Sequence, residues 1–235
     1  MALPDIVDRA AWLAARMALL DQEKEITRRI DAINSERRRL PMVRVDTPYA
    51  LRGPAGDATL ADLFEGRRQL IVQHVMFAPT WDAACPACTA SVDEVSPAVL
   101  RHLANRETTF ALVSRAPYAK LAEYGRGRGW TIPWYSSHGT SFNFDFDVSF
   151  DPAVKEPVYN YRPLLMADTP ELSGMSCFLR EGDAVFHTYS TYARGTDHKG
   201  GAYGFLDLTA LGRQEAWEEP KDRVENPHGA VPDFS

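Results

Sequence analysis

The sequence predicts an α/β fold organised around a central sheet, and three observations carry that reading. Apolar runs suited to central strands alternate with helix-spaced segments in the order strand, helix, strand, helix. Two later strand runs flank the turn Glu181-Gly182-Asp183 and read as a hairpin. Between the first central strand and its helix lie two cysteines with two residues between them, Cys85 and Cys88, in MFAPTWDAACPACT.

The elements follow in order. Residues 10–39 hold the longest helical pattern, with Leu13, Met17, Leu20, Ile26, Ile30 and Ile33 roughly on one side and Glu25–Arg29 as an i,i+4 pair. Pro41 ends it. The segment reads as an amphipathic helix laid on the domain, with a basic partner-binding arm as the competing reading. Residues 42–51 look like strand, RGPAGD is a turn, and Thr59 caps a short helix ending at Gly66. LIVQHVMF, 70–77, is apolar enough for a central strand. Residues 89–103 have helical spacing at Val92, Val95, Val99 and Leu103. TTFALVS, 108–114, is strand, and Pro117 opens another helix. SFNFDFDVSF, 141–150, alternates Phe142, Phe144, Phe146, Val148 and Phe150 against polar residues, a period-two strand with one wet face. The hairpin strands are 175–180 and 184–191, and a closing helix is expected near 209–217.

Strand–helix–strand, a helix, a hairpin and a closing helix is the thioredoxin order. It divides the chain into an N-terminal helical extension (1–41), a thioredoxin-like domain (42–215, with an insertion at about 136–172) and a polar tail (216–235).

Composition bounds the function. The chain has 235 residues, is 45% hydrophobic and 11% aromatic, and so holds enough apolar material for a core without disulfides. Three cysteines cannot form a disulfide framework. A formal charge of -6 argues against a nucleic-acid partner. No apolar run approaches the roughly 20 residues of a membrane span. Asp5, Asp8, Arg9 and Arg16 interrupt anything resembling a signal peptide, so the expected location is the cytoplasm. There a CxxC points to redox or metal chemistry.

The placement of the pair matters chemically. The first turn of a helix presents unpaired N–H groups and the positive end of the dipole, which favours thiolate over thiol. Cys85 would sit there as the attacking thiol, with Pro86 suited to the first helical position. Cys88, one turn further in, would be the buried resolving thiol. A zinc site needs four ligands and there is no second CxxC.

The stretches EKEITRRIDAINSERRRLP, TLADLFEGRRQLIVQHVMFAPTWDAACPACT, LVSRAPYAKLAEYGRGRGWTIPWYSS, FNFDFDV, CFLREGDAVFHTYSTYARGTD and GFLDLTALGRQE resemble a bacterial thioredoxin-like family of predicted dithiol–disulfide oxidoreductases, a domain-of-unknown-function family. The resemblance covers most of residues 20–215. It implies a thioredoxin-like fold and a redox role, and it supplies no substrate. Two departures from ordinary thioredoxins stand out. Trp81 lies four residues before Cys85 rather than beside it. The place of the cis-proline that faces the dithiol falls near Met175, while the nearest proline is Pro170. The peroxiredoxin pattern PxxxTxxC is also absent, with Asp82 where its threonine would stand.

Trp81, Asp82, Pro86, Met175, Ser176 and Cys177 are therefore the candidate pocket residues around Cys85 and Cys88. Cys177 reads either as a third thiol in reach or as a buried strand cysteine. His187 offers a metal-binding alternative, copper or zinc held by Cys85, Cys88 and His187, against a hydrogen-bonded sheet histidine; His74 poses the same choice. Asp145, Asp147 and Asp151 read as solvated carboxylates or a cation cluster. Trp130, Trp134, Tyr135, Tyr159 and Tyr161 read as pocket lining or core. Arg194, Asp197 and His198 sit in a glycine-rich loop without a nucleotide-binding spacing. The expected partners are a small thiol, disulfide or peroxide and a reductant protein, with no cofactor, nucleic acid or membrane.

Overall fold

The computed structural model describes residues 5–164, 169–196, 201–221 and 224–227. The chain opens with helix α1 (Arg9–Arg37), followed by the short strands β1 (Val43–Arg44), β2 (Leu51–Gly53) and β3 (Gly56–Ala58) and a 3-10 turn at Asp62–Phe64. Next come β4 (Gln69–His74), α2 (Pro86–Asp93), α3 (Pro97–Ala104), β5 (Thr108–Ser114), α4 (Tyr118–Arg128), β6 (Trp134–Ser136) and α5 (Phe142–Asp145). The chain continues through the small pair β7 (Val158–Tyr159) and β8 (Arg162–Pro163), the hairpin β9 (Gly174–Glu181) and β10 (Ala184–Tyr192), and α6 (Gly201–Leu206).

Eight strands form one sheet in the order β1-β10-β9-β4-β5-β6-β2-β3. β4 runs parallel to β5 and antiparallel to β9, and β5 runs parallel to β6. All residues of β4 and β5 are buried, as their continuous apolar runs require of central strands. This is a thioredoxin-like fold. The sheet separates two apolar cores. One holds Ile71, Val75, Cys88, Met175 and Cys177. The other holds Leu70, Val72, Phe142, Phe146 and Phe178. Among the described residues no helix is long and apolar enough to cross a membrane.

Several elements depart from the sequence reading, each for a visible reason. α1 begins where expected, with the Asp8 carboxylate accepting the Ala11 N–H at 2.8 Å. It does not lie on the domain: Asn34 is its buried residue, and Met17, Ile26 and Ile33 are 58%, 57% and 55% exposed. At 100° per residue, Leu13, Met17 and Leu20 share one side while Ile26, Ile30 and Ile33 lie roughly 200–260° round from Leu13, so the stripe is broken halfway. Only the C-terminal end docks. Arg37 Nη1 donates to the Asp207 carbonyl at 2.7 Å, and Arg38 forms a buried ion pair with Glu218 at 3.1 Å.

Residues 42–51 are not one strand but the ends of two, separated by a segment containing Pro48, which has no N–H for a ladder. The short helix before Gly66 is a single 3-10 turn, and Asp62 rather than Thr59 is its acceptor, taking both the Thr59 N–H and hydroxyl at 2.7 Å. The helix expected over 89–103 is two helices. Ser96 is extended and its hydroxyl accepts the Val99 N–H at 3.3 Å, so it caps a new helix opened by Pro97.

The stretch 141–150 is not a strand, and of its residues only Ser141 and Asp145 are exposed. Phe142–Asp145 is helical, Asp147 is left-handed at φ 52°, and Asn143 and Ser149 are buried beside the five apolar residues. Local bonds to polar side chains outcompete the period-two pattern: Ser137 Oγ donates to Asn143 Oδ1 at 2.8 Å and the Phe142 N–H to Thr140 Oγ1 at 3.2 Å. The closing helix falls earlier, at Gly201–Leu206. Left-handed Gly212 (φ 64°) and Gln214 (φ 61°) keep 209–217 in turns.

Candidate active site

The loop after β4 is folded back onto the strand ends. The Cys85 N–H donates to the Met76 carbonyl at 2.9 Å and the Ala116 N–H to the Phe77 carbonyl at 2.8 Å. Lys120 Nζ, from α4, donates to the carbonyls of Pro79 at 3.0 Å and Trp81 at 2.9 Å and so pins the loop that carries the cysteines. Cys85 is the N-cap of α2, with Pro86 as the first helical residue. Thr89 donates both its N–H (2.9 Å) and its hydroxyl (3.0 Å) to the Cys85 carbonyl, and its hydroxyl also meets the Tyr124 hydroxyl at 3.0 Å.

Cys85 and Cys88 lie 4.1 Å apart, and both are free thiols. Cys85 is partly exposed, whereas Cys88 is 6% exposed. Burial pushes the Cys88 thiol up to about 12, with the neighbouring Cys85 adding to the rise and a backbone bond from Met76 partly opposing it.

The dithiol opens into a cleft of about 880 Å³. Cys85, Cys88 and Met76 line it together with Ser91 and Glu94 from α2 and its C-terminal end, Gln73 and Met175 from the sheet, and Arg194 from the turn after β10. Met175, where the sequence reading expects the thioredoxin proline's place, lies near the start of β9. Its peptide bonds are trans, since among the described residues only Glu219–Pro220 is cis. β9 is paired on both edges here, Met175 lying opposite Gln73 on β4 and Thr191 on β10. At the rim the Tyr159 hydroxyl donates to the Ser173 carbonyl at 2.8 Å and accepts the Ala193 N–H at 3.0 Å. Two main-chain groups beside the cleft are thereby already satisfied.

The other sequence-named residues are placed as follows. Trp81 packs a half-buried ring against the core beneath the thiols, and Asp82 and Pro86 are exposed; none of the three is among the described residues lining the cleft. Cys177 is buried in the same core as Cys88, on the face of β9 that carries Met175. Ser176 was expected at the opening, but strand alternation turns it to the opposite face. It is fully buried there, with its hydroxyl 2.9 Å from His74 Nε2 and 2.8 Å from Ser190 Oγ.

His187 lies on that opposite face too. Its Nε2 is 2.8 Å from Ser190 Oγ and its ring packs on Phe146 and Phe178, so the ligand set Cys85, Cys88 and His187 is not assembled. Burial holds the His187 imidazole below its ordinary value and, with the charge of His187 nearby, brings His74 down to about 3, so His74 stays neutral at physiological pH. Among the described residues no group of three His, Cys, Asp or Glu is placed to hold a metal ion. Asp145 accepts from Tyr49 and Ser141, Asp147 pairs with Lys155 at 2.6 Å and Asp151 accepts the Ala153 N–H. Trp134 and Tyr135 are core, and Asp197 and His198 lie outside the described residues.

Sequence reasoning missed Gln73. The signal was present: in LIVQHVMF, alternation puts Ile71, Gln73 and Val75 on one face, the one that meets the cysteines. Ser91 and the Tyr159 bridge were missed as well, and only the fold brings them to the cleft.

A thioredoxin-like fold with a free dithiol at the start of the helix after its central strand defines the class. Within it, the chain belongs to the family of bacterial proteins of unknown function DUF899, whose model matches residues 1–228. No curated protein gives a significant match. Among solved structures, the Xanthomonas campestris bacterioferritin comigratory protein, described for alkyl peroxide reduction, is 16% identical over 67% of this chain and 92% of its own, with a TM-score of 0.45. The Mycobacterium tuberculosis peroxidoxin BcpB is 14% identical over 72% and 94%, with a TM-score of 0.46. A candidate protein disulfide isomerase from Bacteroides thetaiotaomicron is 19% identical over 65% and 82%, with a TM-score of 0.40. These likenesses say nothing about activity.

Proposed function

We propose that this protein is a cytoplasmic dithiol–disulfide oxidoreductase acting on small disulfides. The observation that carries the reading is the pairing of a partly exposed Cys85 at a helix N-cap with a buried Cys88 4.1 Å away, both lining an open cleft. In the first step the Cys85 thiolate attacks one sulfur of R–S–S–R′. A Cys85–S–S–R bond forms, the substrate S–S bond breaks, and R′S⁻ leaves and takes up a proton. Cys88 then attacks the Cys85 sulfur. RS⁻ leaves with the Cys88 proton, and two electrons have passed from the dithiol to the substrate. A reductant dithiol, small or carried by a protein, returns two electrons and two protons.

Three features favour a small substrate. The strand facing the dithiol is paired on both edges, the adjacent main-chain groups are bonded to Tyr159, and on this reading Met175 takes the proline's place. On this reading residues 42–215 carry the chemistry, 1–41 and 216–235 are appendages, and Trp81, Asp82 and Pro86 shape the approach to Cys85.

The test is equilibration in glutathione redox buffers, followed by alkylation and mass mapping of each cysteine. One two-electron transition that joins Cys85 to Cys88 is expected. It should vanish in Cys85→Ser and in Cys88→Ser and persist in Cys177→Ser. Absence of a Cys85–Cys88 disulfide at any ratio overturns the proposal.

A further inference from the structure

Gln73 sits in the cleft in a way the exchange chemistry does not explain. Its side chain is 5% exposed, in a central strand flanked by β5 and β9. Nε2 donates to Ser91 Oγ at 3.3 Å, while Oε1 is buried with no hydrogen-bond partner. A buried acceptor left unpaired is destabilising, because it has given up its water without a replacement. The residue lines the same cleft as Cys85 and Cys88, and its buried oxygen is an acceptor in that wall without a partner among the described residues.

We propose that Gln73 is a substrate-positioning residue whose carboxamide oxygen accepts an amide N–H of a short cysteinyl peptide in disulfide form. This rests on the oxidoreductase reading above and names its substrate class. The shape of the cleft selects that class. Its α2 wall runs from Ala87 to Glu94, roughly 10 Å at 1.5 Å per residue. That length accommodates about three extended residues at roughly 3.3–3.6 Å each. A hydroperoxide would fill only a corner of a cleft of about 880 Å³. A half-cystine with a peptide bond next to its sulfur-bearing residue supplies an N–H close to the attacked sulfur, and the acceptor belongs to a residue that lines the same cleft as the thiols.

The test compares wild type with Gln73→Met, which keeps the length of the side chain and removes the acceptor. Three oxidants serve as probes: oxidised glutathione, 2-hydroxyethyl disulfide, which has no amide, and tert-butyl hydroperoxide. The ratio of kcat/KM for oxidised glutathione over 2-hydroxyethyl disulfide should fall about three- to tenfold in the variant, mainly through KM, the effect of one neutral hydrogen bond. A purely packing role lowers both rates together, and an unchanged ratio overturns the proposal while leaving disulfide exchange standing. Turnover of the hydroperoxide with neither disulfide reduced overturns the disulfide reading itself. A measurement on the wild type covers failure of the variant to fold. Addition of S-methylglutathione should shift the Gln73 side-chain carboxamide resonances, and saturation without such a shift refutes the contact.

Discussion

The buried Cys88 gives the sharpest quantitative test. Its thiol is pushed from an ordinary 9.0 up to about 12, first by burial and then by Cys85 beside it. At pH 8 an ordinary thiol at 9.0 is about one-tenth thiolate, whereas one at 12 is ionised in about one part in ten thousand, a thousandfold difference. Alkylation by iodoacetamide, read by peptide mass mapping, should therefore label Cys88 about a thousandfold more slowly than a free cysteine. Its rate should climb tenfold per pH unit without levelling before pH 11. Replacing Cys85 by Ser removes the secondary cause, so the titration should move down in that variant yet stay above the ordinary value, because burial is the larger cause. A rate that levels off near pH 9 in the wild type refutes the burial argument. The same ordering has a catalytic meaning. Once Cys85 is tied into a mixed disulfide it no longer holds the Cys88 proton in place, so the resolving thiol is eased toward ionisation only after the first step. Stability follows with a definite sign. The folded value lies above the unfolded one, so the folded state keeps a proton that the unfolded chain loses above about pH 9. Stability is then fully present below pH 9 and falls between about 9 and 12, by a few kcal/mol in all at about 1.4 kcal/mol per unit. Denaturant midpoints measured across that window check it, and a flat profile contradicts it.

Three further outcomes are expected. Gly174→Ala should destabilise the fold by about 1–3 kcal/mol in urea unfolding, because the new Cβ meets Tyr192 Cδ1 at 2.7 Å and Val148 Cγ1 at 3.2 Å; an unchanged midpoint shows that Tyr192 yields freely. Deleting residues 1–25 should leave the unfolding midpoint within about 0.5 kcal/mol of wild type, since the buried residue and the docking contacts of α1 are at its C-terminal end; a large loss would reveal packing by the exposed half. Tyr159→Phe frees the Ser173 carbonyl and the Ala193 N–H, so the rate of reduction of disulfide-bonded insulin relative to a small disulfide should rise; an unchanged or lower ratio contradicts the idea that Tyr159 closes the rim to peptide backbone.

What the sequence revealed, and what it hid, divides along physical lines. The central strands, the cysteine pair at a helix start and the hairpin turn were legible because each rests on local chemistry: a continuous apolar run, a proline at the first helical position, a left-handed glycine at 182 with φ 58°. Residues 141–150 misled because their alternation is real, yet Asn143 supplies bonds that a strand would leave unmade. Its carbonyl takes the Val148 N–H at 3.0 Å and the Ser149 N–H at 3.3 Å, curling the chain so that Asn143 and Ser149 go inside with the apolar set. The isoleucines of α1 misled for the opposite reason. They are periodic over short spans, but the period slips between Leu20 and Ile26, so no single face exists to be buried.

Hairpin parity explains why the histidine is not at the dithiol. The turn pairs Glu181 with Ala184, so counting outward puts His187 opposite Phe178. Phe178 and Cys177 are successive residues and point to opposite faces. Any register that keeps this turn therefore sends His187 away from the cysteines, and that much could have been counted from the sequence. The next step could not. A bulge between His187 and Tyr189 lets Tyr189, rather than Thr188, lie opposite Cys177, and so brings an aromatic ring onto the dithiol face two residues after a histidine on the other. The bulge leaves the face beneath the thiols apolar, with Met175, Cys177 and Tyr189 in succession, and confines the hydrogen-bonded chain of His74, Ser176, Ser190 and His187 to the far side of the sheet. Cys88 thus faces an apolar stretch of sheet, with the Met76 backbone bond as the contact that favours its thiolate, and Gln73, with its unpaired carbonyl, is the polar exception on β4 where that strand meets the cleft.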